Sequence, residues 1–263
     1  MNKHSIPLII PMKINKFFDK LLFYISVPKC IGCGKRLLYT EKALCPECKT
    51  EYDENKRRDC SLCGRVLSEC SCTNDYLSKH YVKRLIKVFR YRQNEDIPSN
   101  KLIFSLKKDN RRDVLEFLTN ELCQAIRSSV ENPEECIFTN VPRRRKEIVK
   151  YGIDHAELLA KSIAKRFSAE YYQPIISKSK KPQKMTEGSE RLKNANFRLK
   201  RNARNLDKKR IIIIDDVVTT GASISACAML YRALGTKNIT GAALSIAYKD
   251  SYTPFETGDR FRK

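Results

Sequence analysis

The chain has 263 residues, with 52 Lys or Arg against 30 Asp or Glu, which gives a formal net charge of +22 at pH 7. This length accommodates a small metal-stapled module and one α/β domain of ordinary size. The apolar stretch at 6–14 is interrupted by Pro7 and Pro11, and residues 17–27 are too few and too charged to span a bilayer. The sequence therefore excludes an integral membrane protein.

The first 27 residues form a segment of their own. Apolar residues recur near helical spacing between residues 14 and 25, so we expect this amphipathic segment to pack against the module that follows. A helix lying on a membrane surface is the alternative interpretation. The expected location is the cytoplasm, with peripheral attachment to the inner membrane left open.

Eight of the eleven cysteines fall between residues 30 and 72 as four close pairs. The pairs are Cys30/Cys33, Cys45/Cys48, Cys60/Cys63 and Cys70/Cys72. A two-residue spacer lets both thiolates of a pair face one ion, and Gly34 and Gly64 follow two of the turns, as is typical of zinc knuckles. The pattern predicts a small zinc-ribbon module at residues 28–75.

The spacing leaves the number of metal ions open. Sequential pairing gives one site from the first four cysteines and a second site from the last four. The second group has only six residues between its pairs and ends in Cys-x-Cys, so cross-pairing or a single occupied site is the alternative. Disulfides are disfavoured because no cleavable signal peptide precedes these cysteines, and Cys123, Cys136 and Cys227 lie in apolar segments. Iron–sulfur clusters usually space their cysteines differently.

Helices and strands alternate over residues 76–250, which we assign to one α/β domain followed by a tail at 251–263. Helical periodicity predicts helices at 101–106, 114–126, 153–167 and 222–234. Short apolar runs predict strands at 136–141, from 211 onward and at 239–247. This alternation predicts a mostly parallel sheet with helices on both faces, and functional residues at the carboxyl ends of its strands.

The run from Ile211 to Ile224 carries the clearest functional signal. It places Asp215 and Asp216 at the end of a buried strand, and small residues at the start of the next helix. The phosphate-contacting residues predicted for this loop are Thr219, Thr220, Gly221, Ala222 and Ser223. Adjacent carboxylates would repel a bare anion, so the ligand must also carry hydroxyl groups or hydrated Mg²⁺. A phosphorylated ribose meets both requirements, whereas an ordinary helix cap would leave the second acid unexplained.

The segment 178–210 holds thirteen Lys or Arg against three acids and is predicted to be an exposed loop between two strands. With other basic clusters it indicates contact with single-stranded nucleic acid. The candidate contacts are Arg143, Arg144, Arg145, Arg198 and Arg201, with Tyr81, Phe89, Tyr91 and Phe197 as aromatic neighbours for base stacking. A solvated, Lys-rich surface is the alternative. His155 opens a helix, where a capping or surface role is favoured over contact with phosphate.

Together these motifs resemble the ComF family of competence-related proteins, a zinc-knuckle module joined to a phosphoribosyltransferase-like domain. The resemblance covers about residues 28–248 and rests on motifs in family order. Besides the knuckles and the loop at 215–223, the matching motifs are 101–107, Val141-Pro142, 152–156 and the series Gln183, Arg191, Asn194, Phe197. The chain departs from the family at 151–155, where Tyr-Gly-Ile-Asp-His replaces Arg-Gly-Phe-Asn-Gln.

The resemblance implies that the protein binds phosphoribosyl pyrophosphate (PRPP) with Mg²⁺. Asp215 and Asp216 would hold the ribose hydroxyls, the following amides would hold the 5-phosphate, and Lys107, Gln183, Arg191 and Asn194 would complete the PRPP contacts. The implied function is the handling of incoming single-stranded DNA during natural transformation, together with DNA-uptake proteins such as a helicase. The alternative is an active phosphoribosyltransferase in which Asp215 and Asp216 are catalytic and the acceptor is unknown.

Overall fold

The computed structural model describes residues 27–109, 111–144, 148–149, 152–177 and 197–247. Its centre is a parallel sheet of five strands in the order β1-β7-β6-β2-β3. These strands are β1 (Val82–Arg90), β2 (Ile137–Asn140), β3 (Glu170–Tyr171), β6 (Arg210–Val218) and β7 (Asn238–Ile246). Two further strands, β4 (Ile175–Ser177) and β5 (Phe197–Leu199), pair antiparallel.

The helices of the described residues pack on both faces of this sheet. They are α1 (Pro46–Arg57), α2 (Asp75–Lys79), α3 (Pro98–Lys108), α4 (Arg112–Ser129), α5 (His155–Arg166) and α6 (Ala222–Ala233), with 3-10 turns at Leu67–Glu69 and Pro133–Glu135. The predicted α/β fold, with a mostly parallel sheet and a preceding cysteine-rich region, is confirmed. No helix in these ranges is long and apolar enough to cross a membrane.

Strand β6 is central because its side chains are apolar on both faces. Ile211 through Ile214 are each at most 1% exposed. Ile212 and Ile214 pack in one core with α3, α4 and α5, whereas Ile211 and Ile213 pack in a second core with α6. A continuous apolar run of this kind is what a strand covered on both faces requires. The strand therefore delivers its last residues, which include the paired acids, to the edge of the sheet where the loop begins.

Strand β1 is not among the strands predicted from the sequence. Its Lys and Arg residues interrupt the apolar run, but the strand pairs with β7 over almost its whole length. Phe89 is fully buried in the core, so its predicted role in stacking on nucleic-acid bases is wrong. Tyr81 remains half exposed, with the Arg232 guanidinium 4.6 Å from its ring centroid.

The cysteine-rich region packs directly on the α/β domain. Tyr52 of α1 is fully buried and meets Phe89 and Phe117 edge-to-face, with ring centroids 5.5 and 5.3 Å apart. Its hydroxyl donates to Glu121 of α4 at 3.1 Å. The boundary at residues 75 and 76 stays a prediction, and the amphipathic segment before residue 27 and the tail from 251 lie outside the described residues.

Candidate functional site

The loop after β6 lies at the carboxyl edge of the sheet and leads straight into α6. Gly221 stands at the N-cap of this helix with φ of 82°, a conformation that favours glycine. The Ala222 amide donates weakly to Thr220 Oγ1 at 3.4 Å, while Thr219 and Ser223 are exposed. The first amides of any helix lack intrahelical partners and attract anions. The five residues predicted to contact phosphate therefore surround one helix start.

Gly221 is also confined by its neighbour across the fold. A Cβ atom at this position would lie 2.7 Å from the side chain of Leu77, which belongs to α2 and is fully buried. The loop can therefore keep its path only because residue 221 has no side chain. This contact connects the phosphate loop to the segment that directly follows Cys72.

The two acids of β6 have opposite electrostatic surroundings. Asp216 is buried, and its carboxylate accepts hydrogen bonds from the Arg143 guanidinium and from Lys107 Nζ, the latter at 3.2 Å. Burial acts to raise the pKa of Asp216, but Lys107 and Arg143 outweigh it and hold the pKa below its usual range. Burial and then the Asp216 charge raise the pKa of Asp215 well above its usual range. The pair therefore carries one firmly ionised carboxylate.

Arg143 was predicted as a nucleic-acid contact, and the structure places it elsewhere. Its side chain is only 15% exposed and pairs with Asp216, while its backbone amide donates to Asp154 at 3.1 Å. Asp154 caps α5 by accepting from the Glu157 amide. His155, for which a capping or surface role was favoured, is instead fully buried, and burial followed by the Arg143 charge lowers its pKa. Arg143 and Lys107 are therefore the two cationic side chains that contact Asp216.

A cavity of about 470 Å³ opens beside Arg143, between the end of β2 and the β4–β5 pair. Asn140 is a buried lining residue whose Oδ1 accepts from the Tyr171 hydroxyl at 2.7 Å and from Gln173 Nε2 at 3.0 Å. No sequence pattern indicated this cavity, because its lining comes from separate segments. The lining residues are Asn140, Pro142, Arg143, Ile148, Asp154, Glu157, Tyr171, Tyr172, Gln173, Ile175, Ile176, Ser177 and Lys200.

The remaining candidates divide into exposed residues and residues outside the described ranges. Arg144, Arg198 and Arg201 are exposed, and Arg198 lies on β5 at the base of the predicted basic loop. The residues outside the described ranges are Arg145, Gln183, Arg191 and Asn194. The assignment of these residues to PRPP or to nucleic acid stays a prediction.

The cysteines form two separate groups of four in sequential order. The ligand atoms of Cys30, Cys33, Cys45 and Cys48 lie within 4.8 Å of one another, and so do those of Cys60, Cys63, Cys70 and Cys72. Sequential pairing is therefore the arrangement found, and cross-pairing between the groups is not. Four thiols that converge in this way can hold one metal ion in each group.

Both groups are built on the same knuckle. The Cys30 amide donates to the Lys35 carbonyl at 2.8 Å, and the Cys60 amide donates to the Arg65 carbonyl at 2.7 Å. Burial raises thiol pKa values, but hydrogen bonds from backbone and neighbouring thiols lower the pKa of Cys30 to about 7. In the second group, hydrogen bonds from Cys72 and the Lys87 charge help to lower the pKa of Cys70 to about 6. Because metals bind the thiolate form of cysteine, metal binding to either group would release protons.

Comparison with known proteins found a similar family, relatives and solved structures. Residues 148–259 match the family described as phosphoribosyl transferase domain. The chain is 23% identical over 215 residues to the DNA utilization protein YhgH of Escherichia coli O157:H7, covering 80% of this chain and 86% of that protein. It is 24% identical over 219 residues to the YhgH protein of Shigella flexneri, with the same coverage. A purine phosphoribosyltransferase structure from Pyrococcus horikoshii Ot3 aligns at 17% identity with a TM-score of 0.31, covering 51% of this chain and 81% of that chain.

The match identifies residues 148–259 of this α/β fold as similar to a phosphoribosyl transferase domain. The cysteine groups and the relatives, which are matched over most of their length, confirm the predicted resemblance to the ComF family.

Proposed function

We propose that this protein binds PRPP with Mg²⁺ and handles single-stranded DNA during natural transformation. The observation that carries the proposal is the helix start at Gly221–Ser223 directly after the Asp215–Asp216 pair. The first amides of this helix have no intrahelical partner and suit the 5-phosphate, and the acids suit ribose hydroxyls. The link to DNA is supported by the relatives, which are named DNA utilization proteins.

Lys107 and Arg143, the two cations that contact Asp216, are also proposed to contact the diphosphate of PRPP. Lys107 and Arg143 hold Asp216 ionised, and both carry donors that a diphosphate also binds. When Mg²⁺ accompanies PRPP, it supplies positive charge that neutralises the diphosphate. Gln183, Arg191 and Asn194 are proposed as further diphosphate contacts, on the ComF resemblance. Lys107 and Arg143 would then be shared between Asp216 and the ligand.

The DNA contacts proposed for the described surface are Arg144, Arg198 and Arg201, with Arg145 as a further candidate. All three described residues are exposed, and the chain carries a formal charge of +22. Contacts of this kind release counterions, so DNA affinity should fall steeply as salt rises. We further propose zinc as the metal of both cysteine groups, because four thiolates form its usual structural site. We propose a cytoplasmic location and partners among DNA-uptake proteins.

The second candidate function is phosphoribosyl transfer to an acceptor. The observation that favours it is the cavity beside Arg143, which offers aromatic rings and amide groups next to the proposed PRPP site. In such a transfer, the bond between ribose C1 and diphosphate breaks while an acceptor atom bonds to C1. Consumption of PRPP by the purified protein, lost in Asp216→Asn, would favour this function over binding alone.

Calorimetric titration with PRPP and Mg²⁺, with and without a single-stranded oligonucleotide, tests the main proposal. We expect saturable binding in the wild type and its loss in the Asp215→Asn/Asp216→Asn variant. Asp207→Asn is the matched control, because Asp207 is an exposed acid three residues before the start of β6, far along the strand from the acid pair, and its substitution should leave binding unchanged. Absence of PRPP binding in the wild type would contradict the proposal, and a shift of PRPP affinity with DNA would show coupling.

A further inference from the structure

Lys87 is a fully buried lysine in the middle of β1. Its ammonium nitrogen lies 3.2 Å from Cys70 Sγ, 3.5 Å from Cys72 Sγ and 2.9 Å from the Cys72 carbonyl oxygen. Among the described residues, no carboxylate forms an ion pair with it. A buried ammonium without a counter-charge is strongly destabilising. The anionic groups available to Lys87 are therefore the thiolates of the second cysteine group.

A metal–thiolate group supplies the negative counter-charge that the buried Lys87 ammonium otherwise lacks. Four thiolates around a divalent cation leave two net negative charges on the group, which is itself expensive to bury. Lys87 compensates part of that negative charge. The metal–thiolate group in turn lowers the free-energy cost of burying the Lys87 ammonium. The contacts to two of the four sulfurs place Lys87 as an outer partner that orients the ligands.

The second cysteine group is also tied to the sheet and to the phosphate loop. The Leu85 amide of β1 donates to the Ser71 carbonyl at 3.1 Å, so the segment between Cys70 and Cys72 covers the free edge of the sheet. Helix α2 begins three residues after Cys72, and its Leu77 packs on Gly221. Leu77, which confines the phosphate loop, therefore lies only five positions after the proposed metal ligand Cys72.

The first cysteine group contacts a different element. The Gly32 carbonyl, within the first knuckle, accepts from Lys101 of α3 at 2.7 Å. A Cβ atom at Gly32 would lie 3.3 Å from Pro98, the first residue of α3. The first group therefore supports the beginning of a helix whose last turn carries Lys107.

We propose that the metal of the second cysteine group is a support of the phosphate loop, and that Lys87 is the positioning residue that stabilises this metal by charge compensation. The metal of the first group supports the start of α3 instead. The prediction that loss of this metal weakens PRPP binding rests on the proposed function. The prediction that loss of this metal raises hydrogen–deuterium exchange in the phosphate loop does not.

Two ligand variants separate the roles of the metals. Cys33 and Cys63 are the exposed members of their groups, so Cys33→Ser and Cys63→Ser remove equivalent ligands. Hydrogen–deuterium exchange of the zinc-loaded variants should rise at 218–225 in Cys63→Ser and at 98–104 in Cys33→Ser. The same exchange pattern in both variants would overturn the proposal. PRPP titration is the second readout: if the wild type binds no PRPP, the proposed function fails while the exchange result still decides the inference.

The role of Lys87 is tested by Lys87→Met, which keeps the length of the side chain and removes its charge. Lys83→Met is the matched control, because Lys83 lies on the same strand and is exposed. In the presence of a chromogenic chelator, we expect zinc to leave the second group about 10-fold faster in Lys87→Met, with exchange raised at 218–225. Zinc release and exchange equal to those of Lys83→Met would overturn the role assigned to Lys87. This measurement also decides the proposal if Cys63→Ser does not fold.

Discussion

The two cysteine groups share a knuckle but differ in what surrounds it. Gly34 and Gly64 occupy equivalent turns, with φ of 78° and 69°. The first group packs in the core that contains α3 and α4, whereas the second packs in the core that contains α6. Their ligands are alike, so the difference between them lies in the neighbouring residues. Ligand spacing thus determines that a metal can bind, while the neighbours determine which part of the protein that metal stabilises.

Removal of both metals should have the largest effect. Structural zinc contributes about 10–16 kcal/mol of apparent binding free energy in small modules, against a typical domain stability of about 5–15 kcal/mol. We expect a chelator to unfold residues 30–72 and to lower the melting temperature of the whole chain, because both groups reach into the cores. Circular dichroism and calorimetry measure the loss of structure and the change in melting temperature. Each is recorded before chelation, after chelation and after zinc is restored. An unchanged melting transition would show that the metals are peripheral.

The parts of the molecule that the sequence could predict are those that depend on neighbouring residues in the chain. The isoleucine run of β6 and the helix that follows it are local patterns, as are the Cys-x-x-Cys turns. Strand β1 escaped prediction because its burial depends on β7 and on the cysteine segment, and Lys87 looks like any exposed lysine in the sequence. Its burial is sustained by groups that are distant from it in the chain.

The candidate site divides in the same way. The loop at 219–223 could be predicted, since its residue types meet the needs of a phosphate within a few positions. Arg143 was assigned to nucleic acid because it opens a basic run, and only the fold brings it to Asp216. The cavity beside Arg143 could not be predicted, because β2 and β3 contribute one lining residue each, β4 contributes three, and the rest come from the segments between these strands, from the start of α5 and from Lys200 directly after β5.

Gly221→Ala should have the next largest effect. It tests the contact between the phosphate loop and Leu77 of α2, the helix that follows the second cysteine group. The substitution combines a left-handed backbone, which costs about 1–2 kcal/mol, with an overlap on Leu77 that costs about 1–3 kcal/mol. Gly152→Ala is the matched control, because Gly152 has φ of 77° with nothing within 4 Å of the added atom. Urea unfolding of both variants measures the difference. Equal destabilisation of Gly221→Ala and Gly152→Ala would show that the Leu77 side chain moves aside without a cost in stability.

Glu121→Gln tests how the first group's helix is held on the domain. The Glu121 carboxylate pairs with Lys56 and accepts from the buried Tyr52 hydroxyl, so it joins α1 to α4. The substitution removes the anionic partner of the partly buried Lys56, and we expect a loss of about 1–3 kcal/mol in the free energy of unfolding. Glu116→Gln, at an exposed position on α4, is the control. A loss in Glu121→Gln no greater than in this control would mean that apolar packing of Tyr52 is sufficient.

Lys42→Ala should have the smallest effect, although it breaks the other ion pair between the first cysteine region and α4. Lys42 Nζ lies 2.8 Å from Glu116, but the two side chains are 59% and 45% exposed. Exposed pairs contribute about 0–1 kcal/mol, because water screens the charges and both side chains lose rotamer freedom. Urea unfolding should therefore show a change close to experimental error, and smaller still at high salt. A loss comparable to that of Glu121→Gln would mean that surface charge, rather than burial, attaches the first group to the domain.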